Sequence, residues 1–74
     1  MDITEIAKLQ IYLRSRFNDP ALVVKARQNK DDSAEVYVGE EFIGVLFKDI
    51  DEGEVSYDFN MAILEIDLPE IGSA

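Results

Sequence analysis

The sequence predicts an α+β fold in which one N-terminal helix packs on a four-stranded antiparallel meander sheet. Two patterns lead to this prediction. Residues 3–16 carry apolar side chains at the spacing of one helical face. From residue 22 onwards, apolar and polar residues alternate in short runs that are separated by polar or glycine-containing turns, as in antiparallel strands. At 74 residues, the chain is expected to form a single small domain over residues 1–74.

The first predicted element is a helix over residues 3–16. Asp2 is a good N-cap, and Glu5 stands three positions later, as in a capping box. The sequence Asn-Asp-Pro at 18–20 ends the helix. Ile11 lies nearly opposite the apolar face, so we expect it to be exposed. The residues of that apolar face are Ile6, Leu9, Leu13 and Phe17.

Two strands are predicted next, over residues 22–28 and 34–38, with a polar turn at 29–33. A five-residue loop places Ala26 opposite Val36 and Arg27 opposite Glu35. Arg27 and Glu35 would then form an ion pair between these two strands.

The third strand is predicted over residues 41–48, and it is apolar on both faces between Phe42 and Phe47. Gly39-Glu40 forms a two-residue hairpin turn of type II′, because glycine comes first. The resulting register pairs Val36 with Ile43 and Tyr37 with Phe42. Gly44 indicates either a bulge or a close approach by another backbone.

The fourth strand is predicted over residues 54–61, after a loop at 49–53. The expected pairs are Phe47 with Val55 and Val45 with Tyr57. After Met61 the alternation changes phase, so we expect a bulge or break near Ala62-Ile63. Residues 63–68 then form an extra strand, continue the fourth one, or fold across the second face of the sheet, and the last three residues fray. The helix is expected to cover Val24, Val36, Ile43, Val45, Phe47 and Tyr57.

The net charge of −9 is unevenly distributed. Residues 1–30 hold six bases and three acids, whereas residues 31–74 hold one base and thirteen acids. Strong acidity opposes binding to nucleic acids and to anionic membranes. The chain has neither a membrane-length apolar run nor the basic and apolar regions of a signal peptide, so a cytoplasmic location is expected.

The sequence offers little for catalysis or metal binding. Cysteine and histidine are absent, which excludes thiolate and imidazole chemistry. The paired carboxylates lie in predicted turns, where they are expected to be solvated. Asp49 and Asp51, followed by Gly53, weakly resemble a calcium loop, but the later positions do not fit, and a solvated hairpin loop is the alternative. We therefore expect a non-enzymatic protein without catalytic residues, cofactor or metal.

The face formed by Tyr37, Phe42 and Leu46 is the best functional candidate. One interpretation is internal, because residues 62–68 could fold over this face. The other is contact with a protein partner or with a second copy in a homodimer, with these residues as anchors. A further alternative is an acidic adaptor or nucleic-acid mimic that docks on a basic protein through its carboxylates.

Three stretches resemble a known family. They are Asp31 to Leu46, the run Val55-Ser56-Tyr57 with Met61 to Leu68, and the opening Lys8-Leu9-Gln10 with Tyr12-Leu13. Together they are similar to an uncharacterised family of short acidic alphaproteobacterial proteins, known only as a domain of unknown function. The resemblance implies a bacterial cytosolic protein. It brings no activity, cofactor or partner.

Overall fold

The computed structural model describes residues 1–28 and 30–72 and has the predicted α+β architecture. One helix precedes a four-stranded antiparallel sheet in the meander order β1-β2-β3-β4. A short 3-10 helix, Glu65–Asp67, follows the last strand. The predicted turn residue Asn29 and the terminal residues Ser73 and Ala74 lie outside the described part of the chain. The elements are α1 (Ile3–Phe17), β1 (Leu22–Arg27), β2 (Lys30–Val38), β3 (Glu41–Asp51) and β4 (Glu54–Asn60).

The predicted capping box begins α1. The Glu5 backbone N–H donates to Asp2 Oδ1 at 2.7 Å, and the Asp2 backbone N–H donates to Glu5 Oε1 at 3.2 Å. Two of the unpaired donors at the helix start are thereby satisfied. The helix ends at Phe17, one residue later than predicted, because Asn18 adopts a left-handed conformation with φ 51°.

Side chains of α1 also close the outer edge of the sheet at β1. The Val24 backbone N–H donates to Gln10 Oε1 at 3.0 Å. Arg14 Nε donates to the Leu22 carbonyl at 2.6 Å. These contacts satisfy backbone groups that an edge strand otherwise leaves open to pairing with another chain.

The core lies between α1 and one face of the sheet. Leu13 on the helix and Leu46 on β3 are both buried, and Ala34 and Val36 on β2 are inaccessible. Ile11 is 67% exposed, as expected for a residue opposite the apolar face. The buried hydrophobic residues are Leu13, Leu22, Val24, Ala34, Val36 and Leu46.

The β1–β2 register differs from the prediction by two residues. Ala26 pairs with Ala34 rather than with Val36, and Lys25 rather than Arg27 lies opposite Glu35. Because β2 begins at Lys30, the predicted loop at 29–33 is wrong for residues 30–33. A shift of two residues preserves the faces, so Arg27 still approaches Glu35, with Nε to Oε2 at 4.0 Å.

A register shift in the β2–β3 ladder corrects the predicted faces of β3. The two-residue turn at Gly39-Glu40 and the Tyr37–Phe42 pair are confirmed. Beyond this pair, Val36 lies opposite Gly44, so one extra residue has entered β3. Every later side chain of β3 therefore points to the face opposite to the one predicted. Leu46 enters the core at 2% exposure, and Val45 and Phe47 turn away from α1.

Gly44 marks both a bulge and a close backbone approach, as its position in the sequence predicts. A Cβ atom at residue 44 would lie 2.5 Å from the Asn60 carbonyl oxygen and 2.6 Å from the Phe59 ring. The bare glycine backbone therefore leaves the space in which the Phe59 ring crosses β3.

The β3–β4 hairpin is longer than predicted and has a tighter turn. Asp51 pairs with Glu54 around Glu52-Gly53, both of which have positive φ. The expected pairs of Phe47 with Val55 and Val45 with Tyr57 are wrong, because the predicted loop residues 49–51 belong to β3. The observed pairs are Lys48 with Tyr57 and Ile50 with Val55.

The chain leaves the sheet after Asn60, close to the predicted break. Residues 63–68 form neither an extra strand nor a continuation of β4, since they contain the 3-10 helix. The radius of gyration is 14.6 Å, compared with about 11 Å for a compact domain of this length. The fold is therefore extended, and part of its apolar surface lacks a cover.

Candidate interaction surfaces

The sheet face turned away from α1, here called the second face, carries a partly exposed apolar group. Tyr37 and Phe42 lie directly opposite each other, and their rings pack edge to face with centroids 5.6 Å apart. Phe42 is 50% exposed and Phe47 is 40% exposed. Of the three predicted anchors, Tyr37 and Phe42 meet on this face, but Leu46 does not, because the bulge turns it into the core. Val45 and Phe47 take its place beside them.

Polar contacts fix Tyr37 on the second face. Its hydroxyl donates to Glu35 Oε1 at 2.9 Å, and this hydrogen bond raises the pKa of the Tyr37 phenol. The Lys25 ammonium lies 4.7 Å from the centroid of the Tyr37 ring, within range of a cation–π contact. Arg27 approaches Glu35 and donates to Ser33 Oγ at 3.4 Å. The β1 side of the second face is therefore basic. The neighbouring Tyr37 on β2 is held in one orientation by these contacts.

The opposite side of the second face is acidic. Asp49 and Asp51 on β3 alternate with core-side residues and share the face of Phe47. Glu54 pairs with Asp51, and Asp58 pairs with Phe47, so both lie on the same face. The second face thus changes from basic at β1, through aromatic at β2 and β3, to acidic at β3 and β4.

A groove of about 610 Å³ separates α1 from β4 on the other face of the sheet. Leu9, Leu13, Leu46 and Phe59 form its apolar floor, and Tyr12, 61% exposed, stands at the helix side. Lys8 and Arg16 also line the groove from the helix. At one end, the rings of Phe17 and Phe59 approach with centroids 6.3 Å apart.

Glu5 closes the other end of this groove by joining the helix to the hairpin. Glu5 Oε2 accepts from Lys48 Nζ and from the Tyr57 hydroxyl, each at 2.6 Å. The hydrogen bonds from Lys48, Tyr57 and the Asp2 backbone lower the Glu5 pKa from 4.5 to about 2. The same contacts raise the pKa values of Lys48 and Tyr57. The capping pattern predicts the role of Glu5 at the start of the helix. Its contacts with Lys48 and Tyr57 depend on the β3–β4 register, for which the prediction is wrong.

The C-terminal segment, residues 61–72, is exposed throughout. Its first half runs beside Glu41 to Gly44 and forms a second groove of about 760 Å³ with them. Phe42 lines this groove, but Phe42 and Phe47 remain exposed, so the segment does not cover the second face completely. Its large exposed side chains are Met61, Ile63, Leu64, Ile66, Leu68 and Ile71.

The described part of the chain offers neither a metal-binding cluster of acids nor a membrane-spanning helix. Within residues 1–28 and 30–72, no group of three or more acidic side chains is arranged to hold a metal ion. Asp49 and Asp51 lie in β3, so the loop needed by the calcium interpretation is not formed. No helix in this part of the chain is long and apolar enough to cross a membrane.

Comparison with known proteins gives one match. The model of a family described as "Protein of unknown function (DUF3126)" matches residues 5–67, which is most of the chain. No curated protein and no solved structure matches the chain significantly. The matched range contains all but the first two residues of α1, the whole sheet and the beginning of the C-terminal segment.

Proposed function

The chain belongs to the family of proteins of unknown function DUF3126, and we propose from its surfaces that it is a non-enzymatic protein-interaction module. The supporting observation is the amount of uncovered apolar surface. Among the described residues, fourteen large hydrophobic side chains are exposed, whereas six hydrophobic side chains are buried. Monomeric proteins rarely expose contiguous apolar patches larger than a few hundred Å², and such large patches commonly mark contact sites. Contact with another protein would cover them.

The proposed contact is a homodimer through the second face. Tyr37 and Phe42 supply aromatic anchors of the kind that dominate such interfaces, with Val45 and Phe47 beside them. A twofold axis parallel to the strands would stack the two sheets so that β1 of each copy faces β4 of the other. In this arrangement Lys25 and Arg27 of one copy approach Asp58 of the second copy. The charge pattern of the face is therefore complementary to itself.

Sedimentation over low to high micromolar concentrations tests the dimer. We expect the unmodified chain to dimerise and the double variant Phe42→Ser, Phe47→Ser to remain monomeric. The matched control is Ile11→Ser, which removes a similarly exposed side chain from the outer face of α1. An unmodified chain that stays monomeric at high micromolar concentration would contradict the dimer, as would an equal loss of association in the control.

Charge exchange tests the orientation of the two sheets. Asp58→Lys should weaken the dimer, because it places a lysine opposite the basic side of the second copy. The double variant Lys25→Glu, Asp58→Lys should recover association, since both charges are then exchanged. Recovery would not occur if the axis were perpendicular to the strands, because β1 would then face β1.

A second candidate is the acidic adaptor, which would bind a basic protein. Its supporting observation is the set of four carboxylates, Asp49, Asp51, Glu54 and Asp58, on one side of the second face. A lysine- and arginine-rich peptide should bind at low ionic strength and dissociate as salt is added. The fourfold Asn and Gln variant at these positions is the control. Binding that is independent of salt, or that survives in the control, would contradict this candidate.

A bacterial and cytoplasmic setting is part of the proposal. Its support is the resemblance of residues 31–46 to short acidic bacterial proteins. Nucleic acid is not proposed as a partner, because the net charge of −9 opposes phosphate binding. Cell fractionation with an antibody against the chain tests the location, and recovery in the membrane fraction would contradict it.

A further inference from the structure

The groove between α1 and β4 has the chemistry of a site for an extended peptide with alternating apolar and acidic residues. Its floor is apolar, and an aromatic side chain, Tyr12, borders it. Lys8 and Arg16 stand two helical turns apart on its helix side, and neither forms an ion pair within the described residues. An occupant with apolar side chains toward the sheet and carboxylates toward the helix would match both features.

The C-terminal segment has this alternating pattern. Residues 64–68 read Leu-Glu-Ile-Asp-Leu, and the three apolar side chains are 56%, 88% and 56% exposed. The acids Glu65 and Asp67 also lack an ion pair within the described part of the chain. A single three-residue 3-10 helix interrupts this stretch, and the residues on either side of it, Leu64 and Leu68, already have extended backbone.

We propose that the groove between α1 and β4 binds residues Leu64 to Leu68 of a second copy of this chain. Leu64, Ile66 and Leu68 would contact the floor at Leu46 and Phe59, and Glu65 and Asp67 would face Lys8 and Arg16. The two acids are about 7 Å apart in an extended strand, whereas Lys8 and Arg16 are about 12 Å apart along the helix. The long, flexible side chains of the two bases can span this difference.

The occupant is a second copy because the chain's own segment is poorly placed to enter. Asn60 is held in the sheet by its pairing with Val45, so a reversal would have to occur at Met61-Ala62-Ile63. These three residues include none of the usual turn formers. The entrance nearest to Asn60 is also occupied by the packed rings of Phe17 and Phe59. A segment from another molecule needs no reversal.

Disulfide crosslinking tests the proposal directly, since the chain contains no cysteine. The double variant Tyr12→Cys, Ile66→Cys is oxidised mildly at micromolar concentration, and the products are separated without reductant. We expect covalent species of two or more chains joined between positions 12 and 66, which peptide mass spectrometry identifies. The matched control is Ile11→Cys, Ile66→Cys, because residue 11 is 67% exposed but points away from the groove.

The possible outcomes separate the occupants. Multichain species that form much faster in the Tyr12 variant than in the Ile11 variant support the proposal. An internally crosslinked monomer would assign the groove to the chain's own segment and overturn it. Equal rates in the two variants would also overturn it, because they would reflect random collision. Circular dichroism of each reduced variant confirms that the compared proteins are folded.

Charge exchange and the second-face variant complete the test. Glu65→Lys with Asp67→Lys should reduce crosslinking to the rate of the Ile11 control, and adding Lys8→Glu with Arg16→Glu should restore it. No restoration would contradict the assigned ion pairs. The crosslink should persist when Phe42→Ser and Phe47→Ser are added, because the groove lies on the other face of the sheet. Failure of the second-face dimer therefore leaves this site testable.

Discussion

The two halves of the fold differ in how completely their apolar residues are covered. In the first half, α1 lies along β1, and Leu22, Val24, Ala34 and Val36 are buried beneath it. In the β3–β4 hairpin, Leu46 is buried, but the Ile50–Val55 pair on the same face is 64% and 50% exposed. Hydrophobic sequence is present in both halves, so composition alone does not explain the difference.

Element length explains why the cover is incomplete. The 15 residues of α1 extend for about 22 Å, whereas the 11 residues of β3 extend for about 36 Å. Glu5 joins the helix to the hairpin at Lys48 and Tyr57. Beyond these two residues, Ile50 and Val55 are exposed on the same face. A single short helix buries two strands well, and the remaining apolar surface stays exposed.

The largest expected effect comes from Leu46→Ala. Truncation of this buried side chain should lower the free energy of unfolding by about 2–5 kcal/mol, because it leaves a cavity between the helix and the hairpin. Phe42→Ala on the second face should cost much less, about 1 kcal/mol, since that ring is half exposed. Urea unfolding measures both at a low protein concentration at which the chain is monomeric, so that lost association does not add to the cost at Phe42. Equal losses would mean that Leu46 is no more buried than Phe42, and they would therefore contradict the bulge in β3.

A smaller effect is expected from Gly44→Ala. The new methyl group would meet the Asn60 carbonyl and the Phe59 ring at less than contact distance, so β4 must shift, at a cost of about 1–3 kcal/mol. Adding Phe59→Ala removes only the ring and should not recover stability. Recovery in the double variant would mean that the side chain, rather than the backbone approach, sets the constraint.

Local signals in the sequence were sufficient for the helix, for the four strands in order, and for the turn between β2 and β3. Asp2 and Glu5 predicted the capping box, and Gly39 predicted a two-residue turn that places Tyr37 opposite Phe42. These features depend on residues a few positions apart. Gly44 was also identified as a bulge or close approach, from its position within an apolar run.

The faces of β3 could not be predicted, because one extra residue reverses all later side chains. Leu46 and Phe47 are both apolar, so either face of β3 satisfies the hydrophobic pattern beyond the bulge. The deciding fact is the crossing of the Phe59 ring over Gly44, a contact fifteen residues away in sequence. The groove between α1 and β4 depends on the same register and was therefore missed.

Gln10→Ala tests the closed edge of the first half. Loss of the side-chain acceptor leaves the Val24 N–H without its hydrogen bond, and the free energy of unfolding should fall by about 1 kcal/mol. Gln28→Ala, in the exposed turn after β1, is the control and should change stability by less than about 0.5 kcal/mol. Amide hydrogen exchange at Val24 should also become faster in the first variant. An unchanged exchange rate would mean that the edge is closed by packing alone.

The smallest effect concerns the link between the two halves at Glu5, which lies near the surface, where solvent screens its charge. The folded-state pKa of Glu5 is lowered to about 2 by its contacts with Lys48, Tyr57 and Asp2. A lowered pKa means that the folded state holds this proton less tightly than the unfolded chain does. The contribution to stability is therefore complete above pH 4.5 and is lost as the pH falls from 4.5 to about 2. Glu5→Gln should be less stable than the unmodified chain at neutral pH, and the difference should shrink across this window when unfolding is followed by circular dichroism. A difference that stays constant with pH would show that the helix and the hairpin are joined by hydrogen-bond geometry and not by the carboxylate charge.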